Sequence, residues 1–143
     1  MDKQRIGVIG CGYWGPNLIR NFYQIPAADL QFICDTRQDR LDHVRSLYPQ
    51  VKTTRDLEEL LASDVEGVVI ATPVSTHHPL ALKCLNAGKH ILVEKPLASS
   101  TRLAQEIVEA GEQAGKVVMT GHTFLYNPAV EAVREIIASG ELG

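Results

Sequence analysis

The sequence predicts an α/β fold, a doubly wound parallel sheet, and three observations predict it. Short apolar runs alternate with helical patterns along the whole length. The runs are apolar on both faces, as strands covered by helices on both sides must be. A glycine-rich turn, Gly10-x-Gly12-x-x-Gly15, joins the first run to the first helical pattern. The length of 143 residues makes one domain over 1–143 the expectation, with enough chain to bury a real core.

In chain order, "RIGVIG" (5–10) is the first strand and "WGPNLIRNFYQ" (14–24) the first helix. "LQFICD" (30–35) reads as the second strand, followed by the helix "DRLDHVRSLYP" (39–49). "VKTT" (51–54) is a weaker strand signal, and "TRDLEELLAS" (54–63) is helical. "VEGVVIAT" (65–72), "KHILVE" (89–94) and "KVVMTG" (116–121) are further strands. Between them lie the helices "HPLALKCLNAG" (78–88) and "SSTRLAQEIVEAGEQAG" (99–115). Gly88 and Gly115 follow these helices as glycine C-caps do. Ser75 and Thr76 are candidate N-caps for the helix after "ATP". A last helix starts near Pro128 and stops at Gly140, with Ala129, Val130, Val133, Ile136 and Ile137 on one face. That face is expected to pack partly on the sheet.

Composition narrows the function. A net charge of −3 does not favour nucleic acid or an anionic membrane as a partner. No apolar stretch approaches the roughly 20 residues that span a bilayer. "MDKQRIGVIG" enters a strand pattern almost at once, leaving no room for a signal peptide, so a cytoplasmic protein is the expectation. Cys11, Cys34 and Cys84 are far apart in sequence, which fits reduced, packed thiols. Five histidines lack ligand-like spacing, and no metal site is expected.

The glycine turn has a strand before it, a helix after it and an acid at the right distance, which is the fingerprint of dinucleotide binding. Gly10 permits the tight turn, Gly12 lets the backbone approach a pyrophosphate, and Gly15 lets helix and strand pack closely. Backbone N–H groups near Tyr13 and Trp14 would face the phosphates, aided by the helix dipole. Pro16 suits a first helical turn. Asp35 ends the second strand, where a carboxylate accepts adenosine-ribose hydroxyls and repels a 2′-phosphate, so NAD is expected over NADP. Thr36 follows it in the same loop. Arg37 and Arg40 complicate the preference, because either could stack on adenine, meet a 2′-phosphate or merely face solvent. Thr72 and Pro73 leave the fourth strand at the topological switch point, near the nicotinamide half. His77 contacts the cofactor or caps its helix. Glu94 and Lys95, followed by Pro96, close the fifth strand with an unusual charged pair.

These motifs together, with "TPVSTH" (72–77), "AGKHILVEKPLA" (87–98) and "GHTFLYNPAV" (121–130), resemble the glucose–fructose oxidoreductase / inositol dehydrogenase family, called Gfo/Idh/MocA. "GCGYWGPN" and "GHTFLYNP" are most similar to members acting on sugars or nucleotide-linked sugars, including UDP-N-acetylglucosamine 3-dehydrogenase-like enzymes. The resemblance implies a Rossmann NAD(P)-binding domain and hydride transfer at a sugar, nucleotide-sugar or polyol carbinol. It implies that Lys95 is the catalytic acid, base or relay, and that Glu94 helps hold the nicotinamide ribose. Chemistry supports this, since hydride leaves a carbinol more readily as its O–H proton is withdrawn, and an amine with lowered pKa can accept that proton. Burial beside a positive nicotinamide ring would lower it. The resemblance also implies a second α/β domain after "SGELG" (139–143), holding the substrate pocket, a catalytic histidine and most of a homo-oligomer interface. None of that lies within 1–143, so this stretch is expected to bind NAD(H) and to be inactive alone. The competing class is a non-catalytic Rossmann module, a sensor or interaction domain. The glycines and Asp35 serve both readings; Glu94-Lys95-Pro96 and "TPVSTH" serve only the enzyme. A methyltransferase-like nucleotide fold is a remote third.

Overall fold

The computed structural model describes residues 2–140. Six parallel strands, β1 (Gln4–Ile9), β2 (Ala28–Cys34), β3 (Lys52–Thr54), β4 (Gly67–Ile70), β5 (His90–Val93) and β6 (Val118–Thr120), form one sheet in the order β3-β2-β1-β4-β5-β6. The helices are α1 (Gly15–Gln24), α2 (Gln38–Leu47), α3 (Leu57–Leu61), α4 (His77–Asn86), α5 (Thr101–Ala114) and α6 (Pro128–Ser139). The doubly wound fold is therefore as the sequence predicts, and "VKTT" does supply a short edge strand.

Period-2 side-chain alternation divides the core between the two faces. Val8 points to one side, where it clusters with Ile19 of α1 and with Leu41 and Val44 of α2. Ile9 points to the other, with Leu60 of α3, Ala81 and Leu85 of α4 and Ile107 of α5. Ile19 and Ile107 are fully buried. Helix ends follow local chemistry. The Ser100 hydroxyl accepts the Leu103 N–H to start α5, and Gly115 ends it in the left-handed region at φ 62°.

Two expectations are corrected. Neither Ser75 nor Thr76 caps α4 through its side chain. A 3₁₀ turn over Val74–Thr76 intervenes, and the Thr76 hydroxyl bonds back to the Thr72 hydroxyl and the Pro73 carbonyl instead. The apolar face of α6 does not pack on the sheet. A 3₁₀ turn over Thr123–Tyr126 carries the chain off β6, and α6 packs mainly against that turn. Val133 and Ile137 are 53% and 61% exposed. Residues 141–143 of the "SGELG" segment lie outside the described residues.

The three cysteines are buried and free. Burial, reinforced for the first two by the nearby Asp35 carboxylate, pushes Cys11 up to about 12 and Cys34 up to about 11. Burial likewise takes Cys84 up to about 12. All three are thus protonated and poor nucleophiles at neutral pH. These folded-state values exceed the ordinary one near 9. The unfolded chain therefore releases thiol protons first, and stability is lost as pH rises from about 9 towards 12. Each thiol steepens that loss by roughly 1.4 kcal/mol per pH unit across the interval. Denaturant midpoints measured from pH 7 to 11 should show it, with a shallower decline in Cys84→Ala.

Candidate dinucleotide site

The strand order reverses between β1 and β4, so the loops leaving their carboxyl ends diverge and open a crevice there. Ladder bonds hold the edges of the crevice level. Ala71 N–H donates to the Ile9 carbonyl and Glu94 N–H to the Ile70 carbonyl, both at about 2.9 Å or less. The turn after β1, the Thr72 loop and the Glu94-Lys95 loop thus stand side by side.

Two of the motif glycines are demanded by the protein itself. Gly10 has φ +99°, and a Cβ there would lie 2.7 Å from the Ala71 carbonyl oxygen. A Cβ on Gly15 would collide with the Gly10 carbonyl, so α1 could not approach β1. Gly12 is different: its only close neighbour would be Arg40 Nη1 at 3.5 Å. Only the end of a flexible guanidinium therefore borders the bare surface at Gly12, and it can yield to a pyrophosphate. Tyr13 is 95% exposed, Trp14 less so, and Pro16 occupies the first turn of α1.

Asp35 is buried, and its carboxylate ties two loops together. Oδ2 accepts from Cys11 N–H at 2.6 Å and Oδ1 from Arg37 N–H at 2.9 Å. Arg40 Nη1 stands 3.5 Å from Oδ2 and leans across Gly12. Thr36 is exposed beside it. Arg37 is engaged elsewhere, with Nε and Nη2 donating to the two Asp39 oxygens at 3.0 and 2.5 Å. That hydrogen-bonded pairing raises the guanidinium further and lowers the carboxyl. Asp39 escaped the sequence reading, although its two-residue spacing from Arg37 was there to see.

On the other side of the crevice Thr72 is half-buried and Pro73 exposed. His77 is corrected on both of its readings. It is 1% exposed, so it is closed to direct contact with a ligand, and its ring does not cap α4. Its Nδ1 meets the Pro96 carbonyl at 2.9 Å and its Nε2 the Thr72 carbonyl at 2.8 Å. Glu94 is buried, with Oε2 accepting its neighbour's Lys95 N–H at 3.1 Å. Its other oxygen would stand 3.3 Å from a Cβ on Gly121, so this glycine makes room for the carboxylate. Lys95 is exposed, forms no ion pair among the described residues, and is joined to Pro96 by a cis peptide. The burial expected around Lys95 is not supplied by this domain. Beside the glycine turn a cavity of about 450 Å³ opens between α1 and α2, lined by Cys11, Pro16, Ile19, Arg40, Val44 and Tyr48. Among the described residues no helix is long and apolar enough to cross a membrane.

The model of an oxidoreductase family with an NAD-binding Rossmann fold, GFO_IDH_MocA, matches residues 4–122. The chain belongs to the Gfo/Idh/MocA family. It is the NAD(P)-binding Rossmann domain of that oxidoreductase family. Inositol 2-dehydrogenase from Rubrobacter xylanophilus is 40% identical over 147 residues, which span 99% of this chain and 42% of that protein. A 4-carboxy-2-hydroxymuconate-6-semialdehyde dehydrogenase from Sphingobium sp. is 33% identical over 96% of this chain and 44% of its own. Among solved structures, GenD2 from gentamicin A biosynthesis in complex with NAD superposes with a TM-score of 0.85 at 32% identity. It is covered over 37% of its length, and this chain over 90%. KijD10, a 3-ketoreductase from Actinomadura kijaniata in complex with NADP and TDP-benzene, gives 0.90 at 26% identity, over 97% of this chain and 43% of its own. The chain therefore spans less than half the length of these relatives.

Proposed function

We propose that this chain is the cofactor-binding part of an oxidoreductase acting between NAD and a carbinol of a sugar, nucleotide-linked sugar or polyol. The observation that most supports this is the level alignment of three loops at the switch point. It sets the Thr72 loop between the turn at Gly12 and the loop that carries Lys95. A bound nicotinamide dinucleotide supplies the hydride acceptor or donor.

The remaining chemistry falls to the chain's own groups. The turn at Gly12, Tyr13 and Trp14 receives the pyrophosphate with backbone N–H groups and the α1 dipole. Asp35 accepts ribose hydroxyls with the lone pairs left over from Cys11 and Arg37 N–H, while Arg40 covers the adenosine side. Thr72 and Pro73 border the nicotinamide. Glu94 fixes the Lys95 backbone and reaches the second ribose. Lys95 Nζ takes the carbinol proton during oxidation and returns it during reduction. NAD is preferred to NADP because the Asp35 carboxylate opposes a 2′-phosphate and Arg37 is already held by Asp39.

Fluorescence titration of NADH and NADPH into the chain tests this, with tighter binding of NADH expected. Equal affinity, or none, defeats it. With inositol or sugars the chain alone should show no appreciable turnover, because Lys95 is exposed and, among the described residues, no histidine or other side chain is hydrogen-bonded or ion-paired to its amine as a proton-transfer partner. One such group is worth about 10²–10⁴-fold.

That exposure of Lys95 also favours a second reading, a non-catalytic NAD-binding sensor. The two readings part at the role of Lys95, and Lys95→Ala tests its contact with the cofactor. If Lys95 meets the cofactor ribose, NADH affinity falls about tenfold, the worth of a hydrogen bond from a charged group. Unchanged affinity removes Lys95 from the cofactor ribose and leaves it only the carbinol role, which the sensor lacks. The exposed face of α6, together with Phe124 and Leu125 of the preceding 3₁₀ turn at 73% and 75%, would drive self-association. Sedimentation over a concentration series should show dimers, and a strict monomer would exclude that contact.

A further inference from the structure

Both ring nitrogens of His77 face carbonyl oxygens, and those carbonyls belong to different loops of the crevice. Thr72 O lies in the loop leaving β4, five residues upstream; Pro96 O lies 19 residues downstream, directly after Lys95. The imidazole is 1% exposed at the first position of α4. A helix base thus clamps the two loops at 2.8 and 2.9 Å. Glu94 ties Lys95 from the other side by accepting its N–H. The loop holding Lys95 is therefore fixed at two points, and His77 is one of them.

We infer that His77 is a positioning residue, setting the Lys95-Pro96 loop against the Thr72-Pro73 loop at the width a nicotinamide requires. Its ring touches neither ligand nor substrate and acts through the two carbonyls. This rests on the reading of the crevice as a dinucleotide site. Three physical features carry it. Imidazole is rigid and short, with two polar atoms on opposite edges, so it can bridge acceptors held apart by a fixed distance. A neutral ring donates to one carbonyl only, and a protonated ring to both. A ring nitrogen buried without a partner would be costly, so packing enforces donation from the ring to at least one of the two carbonyls. No other side-chain hydrogen bond among the described residues connects these two loops.

His77→Phe keeps a ring of similar shape and removes both contacts; His77→Gln keeps a donor. Two readouts separate positioning from plain stability. NADH affinity should fall about 3- to 10-fold in His77→Phe, the equivalent of one or two hydrogen bonds, and recover in part in His77→Gln. Amide exchange should quicken at Lys95 while the β4 amide of Val69 keeps its protection. If the wild type binds NADH and both variants bind it as tightly, with Lys95 exchange unchanged, His77 is not a positioning residue. If the wild type itself fails to bind NADH, the dinucleotide reading fails, and exchange at Lys95 still decides whether the clamp exists. Should His77→Phe not fold, the unaltered chain decides. A ring N–H of His77 protected from solvent exchange by NMR supports the clamp, and a rapidly exchanging one overturns it.

Discussion

Asp35→Ala should cost this chain both its cofactor and much of its stability. The carboxylate is the acceptor for Cys11 N–H and Arg37 N–H, so its loss orphans donors on two loops. Each such group costs about 1–3 kcal/mol, and together they should lower the melting temperature by roughly 5–15 °C. On the proposed reading the turn that receives the pyrophosphate and the ribose acceptor are disturbed in one step. NADH affinity should therefore drop about 100-fold, the equivalent of two strong hydrogen bonds. NADPH should lose less, because the repulsion of its 2′-phosphate goes too. Asp35→Asn should not rescue, since its NH₂ group would meet one of the two N–H donors head on. Parallel thermal melts and titrations of both dinucleotides decide the matter. Unchanged affinity with unchanged selectivity would remove Asp35 from the site.

The second large effect separates glycines that look alike in the motif. In Gly15→Ala the new methyl collides with the Gly10 carbonyl, which is backbone and cannot swing away. Either α1 lifts from β1 or the turn distorts. A cost of about 3 kcal/mol or more is expected, and a fall in melting temperature of roughly 10 °C. Gly12→Ala meets only the end of the flexible Arg40 side chain at 3.5 Å. It should melt within a degree or two of the wild type yet bind NADH at least tenfold more weakly, because its methyl occupies the pyrophosphate's place. Equal destabilisation by both substitutions would show that Gly12 is a structural glycine and not a ligand surface.

Much of this was legible in the chain. Apolar runs at strand length, helical periodicity and terminal glycines were enough for the alternating fold. The reason is that burial on both faces of a parallel sheet leaves a continuous apolar signature that few other arrangements share. The turn at Gly10, Gly12 and Gly15 was readable too, because its geometry is local, and Asp35 was readable from its place at the end of the second strand. What could not be read was which groups these residues had already engaged. That Asp35 serves Cys11 N–H, that Asp39 holds Arg37, and that Gly121 yields space to Glu94 depend on contacts across the fold. The periodicity of α6 announced a buried face, yet its direction was set by the 3₁₀ turn at Thr123–Tyr126, which no periodicity encodes. His77 shows the division most clearly. The sequence placed it at a helix start beside the cofactor loops. Only the tertiary structure turned its ring inward, because α4 packs against β4 and β5 and brings two carbonyls, 24 residues apart in the chain, to opposite edges of one imidazole.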